Sequence, residues 1–167
     1  MDSGTLIFVI VFVMICTVLV VIINKNKSKK EKQLFQTLQD LAGESKCQIS
    51  EHDQWRNSLI GIDKQANRLF YIRTTDEIVN RKSVSLGEIQ KCRVINTNRL
   101  VTNNGSNYTV TDRIELTLTC RDSKTADHLL EFYNTKQDNL ILNGELQLAE
   151  KWAKIVNETI ILNSEKR

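Results

Sequence analysis

The residue types that most often carry out chemistry are scattered along this chain rather than grouped. No two cysteines have the C-x-x-C spacing of zinc or thiol–disulfide sites, and each histidine stands alone. Cys120 and His128 could meet as nucleophile and base across a hairpin, but any fold with a few cysteines and histidines permits such a pair. These residue types therefore predict no metal site, no cofactor and no catalytic residue. They are Cys16, Cys47, Cys92, Cys120, His52 and His128.

Motifs that bind phosphates or build hydrolase sites are also missing. The sequence contains no G-x-x-x-x-G-K-[ST], no G-x-G-x-x-G and no G-x-S-x-G. Several acidic residues fall in predicted turns or at strand ends, where contact with solvent is their ordinary role. We therefore predict that the protein is not an enzyme and acts by binding. These acids are Asp53, Asp63, Asp76, Glu77 and Glu88.

One group of basic residues in the middle of the chain is a candidate ligand patch. An anionic lipid headgroup is the ligand that it would suit. The alternative interpretation is ordinary surface charge, balanced by the acids between the second and third members of the group. The group consists of Arg68, Arg73, Arg81 and Lys82.

An apolar run near the N-terminus predicts a membrane-spanning helix. Residues 5–23 contain no charged side chain, and a helix of that length measures about 28 Å, close to the thickness of a bilayer's hydrocarbon core. A cleaved signal peptide would begin with basic residues and end in small ones, whereas residues 1–4 contain Asp2 and no base. The sequence thus predicts an uncleaved anchor after a short extracytoplasmic segment, residues 1–4.

Five lysines follow the apolar run and predict its orientation. Under the positive-inside rule they place the C-terminal side in the cytoplasm, N-terminus out, in contact with the membrane surface. A specific lipid site is the sharper alternative for the same residues, and topology alone already explains them. They are Lys25, Lys27, Lys29, Lys30 and Lys32.

The rest of the chain is electrically neutral. Removing those five lysines from 23 basic residues, and Asp2 and Glu31 from 20 acidic residues, leaves 18 of each. A neutral body lacks the positive surface that binds a phosphate backbone, so we predict no nucleic-acid partner.

Hydrophobic periodicity predicts helices at both ends of the body and strands between them. Residues 31–46 carry an apolar stripe at helical spacing, typical of a helix docked on its own domain, although a membrane-surface helix or a dimer seam would show it too. Residues 144–162 carry a second stripe that includes Trp152. Between them the period changes to two, which predicts seven antiparallel strands. The predicted strands are 47–50, 58–63, 68–73, 82–86, 91–96, 113–121 and 128–134.

This order resembles the pleckstrin-homology-like (PH and GRAM) domains. The resemblance is carried by the turn and strand at 64–73, by SVSLGEIQKCRVI at 83–95 and by Trp152 on the final helix. It implies a bent barrel of about seven antiparallel strands closed by the C-terminal helix. Phosphoinositide-binding members carry an Arg-x-Arg pair that Arg68-Leu69-Phe70 does not supply, so inositide binding is not implied. An N-terminal anchor followed by such a domain is similar to bacterial single-pass membrane proteins.

Together these patterns predict an inner-membrane protein that presents a cytoplasmic binding domain. Its function would be that of a protein or peptide adaptor, or of a subunit of a membrane complex, with an anionic-lipid sensor or an enzyme with an unfamiliar site as alternatives. The expected organisation is an extracytoplasmic segment at 1–4, a transmembrane helix at 5–23, a basic junction and helix at 24–46, the PH-like domain at 47–162 and a tail at 163–167.

Overall fold

The computed structural model describes residues 12, 14, 29–75, 78–103, 106–138 and 141–164. The chain divides into two compact units, Met1–Thr37 and Leu38–Arg167. In the first unit the described residues are helical, and residues 29–37 form the beginning of helix α1, which covers residues 29–44. The second unit contains the end of α1 and all the remaining elements.

Seven antiparallel strands and one further long helix build the second unit. The strands are β1 (Glu51–Trp55), β2 (Ser58–Asp63), β3 (Arg68–Thr75), β4 (Ile78–Ser85), β5 (Ile89–Asn103), β6 (Ser106–Cys120) and β7 (His128–Asn134). A short 3-10 helix, Leu86–Glu88, joins β4 to β5, and helix α2 covers Glu145–Ser164. Sheet A has the order β1-β2-β3-β4, and sheet B has the order β5-β6-β7.

The main core lies between the two sheets and α2. Alternate residues of β6, such as Ile114, Leu116 and Leu118, are fully buried and face this core. Trp152 of α2 is fully buried among them, as its place on the apolar stripe predicts. Its indole N–H donates to Asp53 on β1 at 2.9 Å, which ties the helix to sheet A. An apolar ring with one polar group is well suited to a place at the margin of a core.

The middle of sheet A is buried on both faces, because the end of α1 covers the face turned away from the main core. Every residue of β2 is buried, and Leu38 and Ala42 of α1 are buried as well. A Cβ at Gly61 would lie 2.9 Å from Leu38 Cδ2 and 3.1 Å from Ile49 Cγ2. Glycine at this position therefore lets α1 approach the sheet. For residues 38–44, docking on its own domain is the observed arrangement.

The prediction of a bent barrel is wrong. Among the described strands neither sheet closes on itself, because β4 is the last strand of sheet A and β5 the first of sheet B, with the 3-10 helix between them. β5 and β6 are 15 residues long and pair along their whole length, apart from two register shifts. The sequence predicts only short strands here, because β5 continues through a polar segment that carries no apolar alternation.

The prediction of a single-pass inner-membrane protein, N-terminus out, is also contradicted. Among the described residues no helix is both long and apolar enough to cross a bilayer. Residues 29–44 carry several charges, and α2 is amphipathic, with exposed charged side chains along one face. The apolar run at 5–23 lies outside the described residues, apart from helical Phe12 and Met14.

The first and fourth strands also begin at other residues than those predicted. The first strand is Glu51–Trp55 rather than 47–50, and β4 begins at Ile78 rather than at residue 82. Both segments are rich in polar side chains, and both form outer strands of sheet A. Edge strands need no regular apolar alternation, so hydrophobic periodicity does not reveal the full extent of β1 and β4.

Candidate functional site: the free edge of β4 and the adjoining cavity

The β3–β4 hairpin determines which backbone groups of β4 are free. Thr75 pairs with Ile78 across a two-residue connection, and the residues that flank such a connection bond to each other through both their N–H and C=O groups. In an antiparallel pair every second residue pair repeats this arrangement, so Ile78, Asn80 and Lys82 bond to β3. The backbone N–H and C=O groups of Val79, Arg81 and Ser83 therefore point away from β3. Because β4 is the last strand of sheet A, these groups form an unpaired edge within the described structure.

The two edges of sheet B, formed by β5 and β7, are partly capped by side chains. On β5, the side-chain amide of Asn157 both accepts from the N–H and donates to the C=O of Cys92, each at 2.9 Å. On β7, side chains of sheet A donate to the carbonyl oxygens of Leu129 and Glu131. Side chains that occupy backbone groups in this way protect a sheet edge against further strands. β4 has no such cap among the described residues.

A cavity of about 410 Å³ adjoins the β4 edge. One wall comes from the β3–β4 hairpin and the other from the face of sheet B that is turned away from the main core, with one residue of the loop after β7 between them. Apolar and charged side chains both contribute to the lining. The lining residues are Tyr71, Arg73, Thr75, Ile78, Asn80, Glu115, Leu129, Glu131 and Gln137.

Two side chains of sheet A join it to β7 beside this cavity. The Tyr71 hydroxyl donates to the carbonyl oxygen of Glu131 at 2.5 Å, and the Lys82 ammonium donates to that of Leu129 at 2.6 Å. Burial raises the pKa of Tyr71 above its ordinary value, although the nearby Arg73 charge opposes the shift. The hydroxyl therefore remains a neutral donor across the physiological range, and the bond joins the two sheets.

Arg73 is a buried cation at the centre of the site. Its guanidinium donates to Asp138 at 2.8 Å and lies 3.3 Å from a carboxylate oxygen of Glu131. Burial lowers the pKa of Arg73, but the hydrogen bond to Asp138 and the surrounding negative charges outweigh it and raise the pKa overall. Arg73 is therefore a fixed positive charge neutralised by its own neighbours, and its Nε is buried without a partner in the described structure.

The two glutamates of the lining differ in how well they are compensated. Glu131 accepts a hydrogen bond from the Asn134 side-chain amide at 2.8 Å and contacts Arg73 and Arg113. Glu115 has only an ion pair with Arg113 at 3.6 Å, too long for a hydrogen bond, and its side chain is 14% exposed. Within the described residues the oxygens of Glu115 therefore accept no hydrogen bond, and neither oxygen is among the atoms that are fully buried without a partner.

The basic residues predicted as a ligand patch are divided between two faces of sheet A. Arg73 and Lys82 share the face of Tyr71, where both make the contacts described above. Arg68 and Arg81 occupy alternate positions and face the other way, and Arg68 donates to the Ser45 hydroxyl at 2.9 Å. A flat anionic surface could not contact all four at once.

Among the described residues, Cys120 and His128 lie on the same face of sheet B, two positions apart in the β6–β7 register. His128 pairs with Leu118 on β6, and no hydrogen bond joins it to Cys120 in the described part of the chain. Burial, with a contribution from Asp127, raises the pKa of the Cys120 thiol, and burial alone raises the pKa of Cys92 to about 12. Within the described ranges, no three potential ligands cluster as a metal site.

The junction lysines are described only in part. Lys29, Lys30 and Lys32 are exposed residues at the beginning of α1, and Lys25 and Lys27 lie outside the described residues.

Sequence reasoning missed most of the residues that form the cavity. Glu115 and Glu131 belong to strands whose polar face the alternation assigns simply to solvent, and Gln137 follows the last strand. One signal was present: an arginine in the apolar strand LFYIR requires buried acceptors, and acids on the following strands could supply them.

Comparison with known proteins adds no further assignment. No protein-family model, no curated protein and no solved structure matches this chain.

Proposed function

We propose that this domain is a non-enzymatic binding module that takes up an extended segment of a protein partner along the outer edge of β4. The observation that carries the proposal is the unpaired β4 edge beside a cavity of about 410 Å³. Addition of a strand to an exposed sheet edge is a common mode of peptide recognition, in which backbone bonds supply affinity and pockets for alternate side chains supply specificity.

The exposed apolar residues of β4 support this assignment. Ile78 and Val79 are 73% and 43% exposed, at the end of β4 nearest the hairpin turn. An exposed edge strand with apolar side chains invites pairing with another chain, and proteins usually blunt such edges. A partner segment would cover both the apolar side chains and the free backbone groups.

The β4 edge also has suitable length. β4 has eight residues, against five for β1 on the opposite side of sheet A. Val79, Arg81 and Ser83 each present one donor and one acceptor, so a segment of about six or seven extended residues would satisfy them.

A proline substitution tests the proposal. Arg81→Pro removes one outward N–H without breaking a bond to β3, whereas Arg81→Ala keeps the N–H and removes only the side chain. The probes are capped seven-residue peptides of alternating threonine and valine, with lysine, arginine, leucine or glutamate at the central position. Affinity is measured by calorimetry on the whole chain.

We expect at least one peptide to bind the wild type, and Arg81→Pro to weaken that binding about tenfold or more, since hydrogen bonds and strand geometry are both lost. Arg81→Ala should stay within about twofold. The proposal fails if no peptide binds the wild type, or if Arg81→Pro binds as the wild type does.

A further inference from the structure

We propose that the cavity beside β4 selects a lysine or arginine side chain of the added segment and that Glu115 binds its cationic group. This inference rests on the proposed function, since it concerns the side chain that strand addition would place over the cavity. It names the chemical class of the ligand: an extended peptide with a central basic residue.

Strand geometry directs a side chain of the segment to this cavity. Side chains of neighbouring strands that lie on the same face of a sheet are adjacent, and alternate residues share a face. Ile78 and Asn80 of β4 line the cavity, so they define the face concerned. Every second side chain of a strand paired with Val79, Arg81 and Ser83 would therefore extend on the cavity side.

The walls suit a long side chain with an apolar stem. Ile78 is 73% exposed and Leu129 is 45% exposed, and both line the cavity. Lysine and arginine cover apolar surface with their methylene groups while the charged end reaches a polar partner. A methylene stem packed along Ile78 and Leu129 would bury apolar area, and this contribution to binding does not depend on the charge.

The charges of the lining favour a cation. Arg73 is neutralised by Asp138 and Glu131, and Glu131 receives further contacts from Asn134 and Arg113. Glu115 is the charged group of the lining whose carboxylate accepts no hydrogen bond from the described residues, and at 14% side-chain exposure its charge is only partly screened by solvent. An ammonium or guanidinium group would supply a charge-assisted bond, which is stronger than one between neutral groups.

Other side chains would not meet this requirement. A leucine would cover Ile78 and Leu129 but leave Glu115 unbonded, and a glutamate would add a further negative charge to those of Glu115 and Glu131. The arginine already nearby, Arg113, is 44% exposed and pairs with Glu115 only at 3.6 Å. That contact is too long to satisfy the carboxylate and is weakly held, so an entering cation could replace it.

Peptide preference and a charge-neutral variant test the inference. The same peptides are titrated into the wild-type chain, into Glu115→Gln and into Glu158→Gln, a control at an exposed glutamate of α2 that pairs with Lys154. Thermal unfolding of each variant verifies that it is folded. A second measurement follows the wild-type preference as KCl is raised, which needs no substitution.

We expect the wild type to bind the lysine and arginine peptides about tenfold more tightly than the leucine peptide, as one charge-assisted hydrogen bond would give. Glu115→Gln should bring that ratio to about twofold or less while leucine-peptide binding persists, and Glu158→Gln should leave it unchanged. KCl should reduce the wild-type ratio.

Equal binding of lysine, arginine and leucine peptides by the wild type would overturn the inference, as would a ratio that survives both Glu115→Gln and added KCl. In either case binding that depends on the Arg81 N–H would leave the proposed function standing. If no peptide binds the wild type, the proposed function itself fails, so the two failures are distinguishable.

Discussion

At the residue scale, Asp63 organises the connection between β2 and β3. Its carboxylate accepts backbone N–H groups of Gln48, Gln65 and Ala66 at 2.7, 2.9 and 2.8 Å. Burial raises the pKa of Asp63, but the three backbone hydrogen bonds outweigh it and lower the pKa below its ordinary value of 3.8. The folded state therefore favours the ionised form.

This shift predicts a pH-dependent contribution to stability. A carboxylate whose pKa is lowered on folding stabilises the protein above its unfolded pKa, and the contribution is lost as the pH falls through the lower, folded value. In urea denaturation at pH 7, we expect Asp63→Asn to lower the free energy of unfolding by about 1–2 kcal/mol. The difference should shrink between about pH 5 and pH 3. An equal difference at all pH values would contradict this account.

The buried ion pair of Arg73 predicts a larger effect. Asp138→Asn removes the charge that binds Arg73 at 2.8 Å and leaves a mostly buried guanidinium with reduced compensation. We expect a loss of about 3 kcal/mol in the free energy of unfolding. Glu158→Gln, which breaks an exposed pair with Lys154 on α2, should cost about 0.5 kcal/mol or less. If the two substitutions lowered the free energy of unfolding equally, the Arg73–Asp138 pair would contribute no more to stability than an exposed ion pair does.

Single residues were predictable where one physical rule decides their environment. Trp152 is buried because it lies on the apolar stripe of a helix, and burial of a large aromatic ring removes much apolar surface from water. Sequence position assigns Asp63 and Asp53 to solvent, yet the first caps a turn and the second accepts the Trp152 N–H. Those roles depend on backbone groups and partners that are distant in sequence, which periodicity does not reveal.

At the scale of elements, the close contact of α1 with β2 depends on Gly61. Gly61→Ala places a methyl group 2.9 Å from Leu38 Cδ2, so α1 must shift or Leu38 must change rotamer. We expect a loss of about 1–3 kcal/mol in the free energy of unfolding. Leu38→Ala alone should cost about 2–5 kcal/mol through the lost burial.

The double variant tests whether this contact is the cause. If the methyl group clashes with Leu38, the combination of Gly61→Ala and Leu38→Ala should cost less than the sum of the single changes, by about 0.5–3 kcal/mol. Strict additivity would mean that α1 and β2 are not coupled through this pair. Each variant is measured by urea denaturation of the whole chain.

Elements with strong periodicity were predictable, and edge elements were not. The inner face of β6 and the stripe of α2 are seen where the sequence indicates them, since both bury one regular face. β1 and the outer part of β5 carry mainly polar residues and were missed or truncated. Their backbone pairing, rather than apolar burial, defines them as strands.

At the scale of the molecule, the arrangement of the two sheets could not be derived from the sequence. Apolar alternation fixes which face of a strand is buried but not whether the last strand of one sheet pairs with the first of the next. Within the described strands, the break at the 3-10 helix Leu86–Glu88 leaves β4 as a free edge, which a closed barrel would have paired with a neighbouring strand. The candidate site therefore depends on a feature of the architecture that the sequence pattern mispredicts.

Amide hydrogen exchange, measured by NMR on the whole chain, tests the central claim most directly. With the lysine peptide at saturation, the outward N–H groups of Val79, Arg81 and Ser83 should exchange about tenfold more slowly, because each gains a partner. The N–H groups of Asn80 and Lys82, already bonded to β3, should change by about twofold or less. Protection without this alternation, or protection only on other strands, would contradict strand addition at β4.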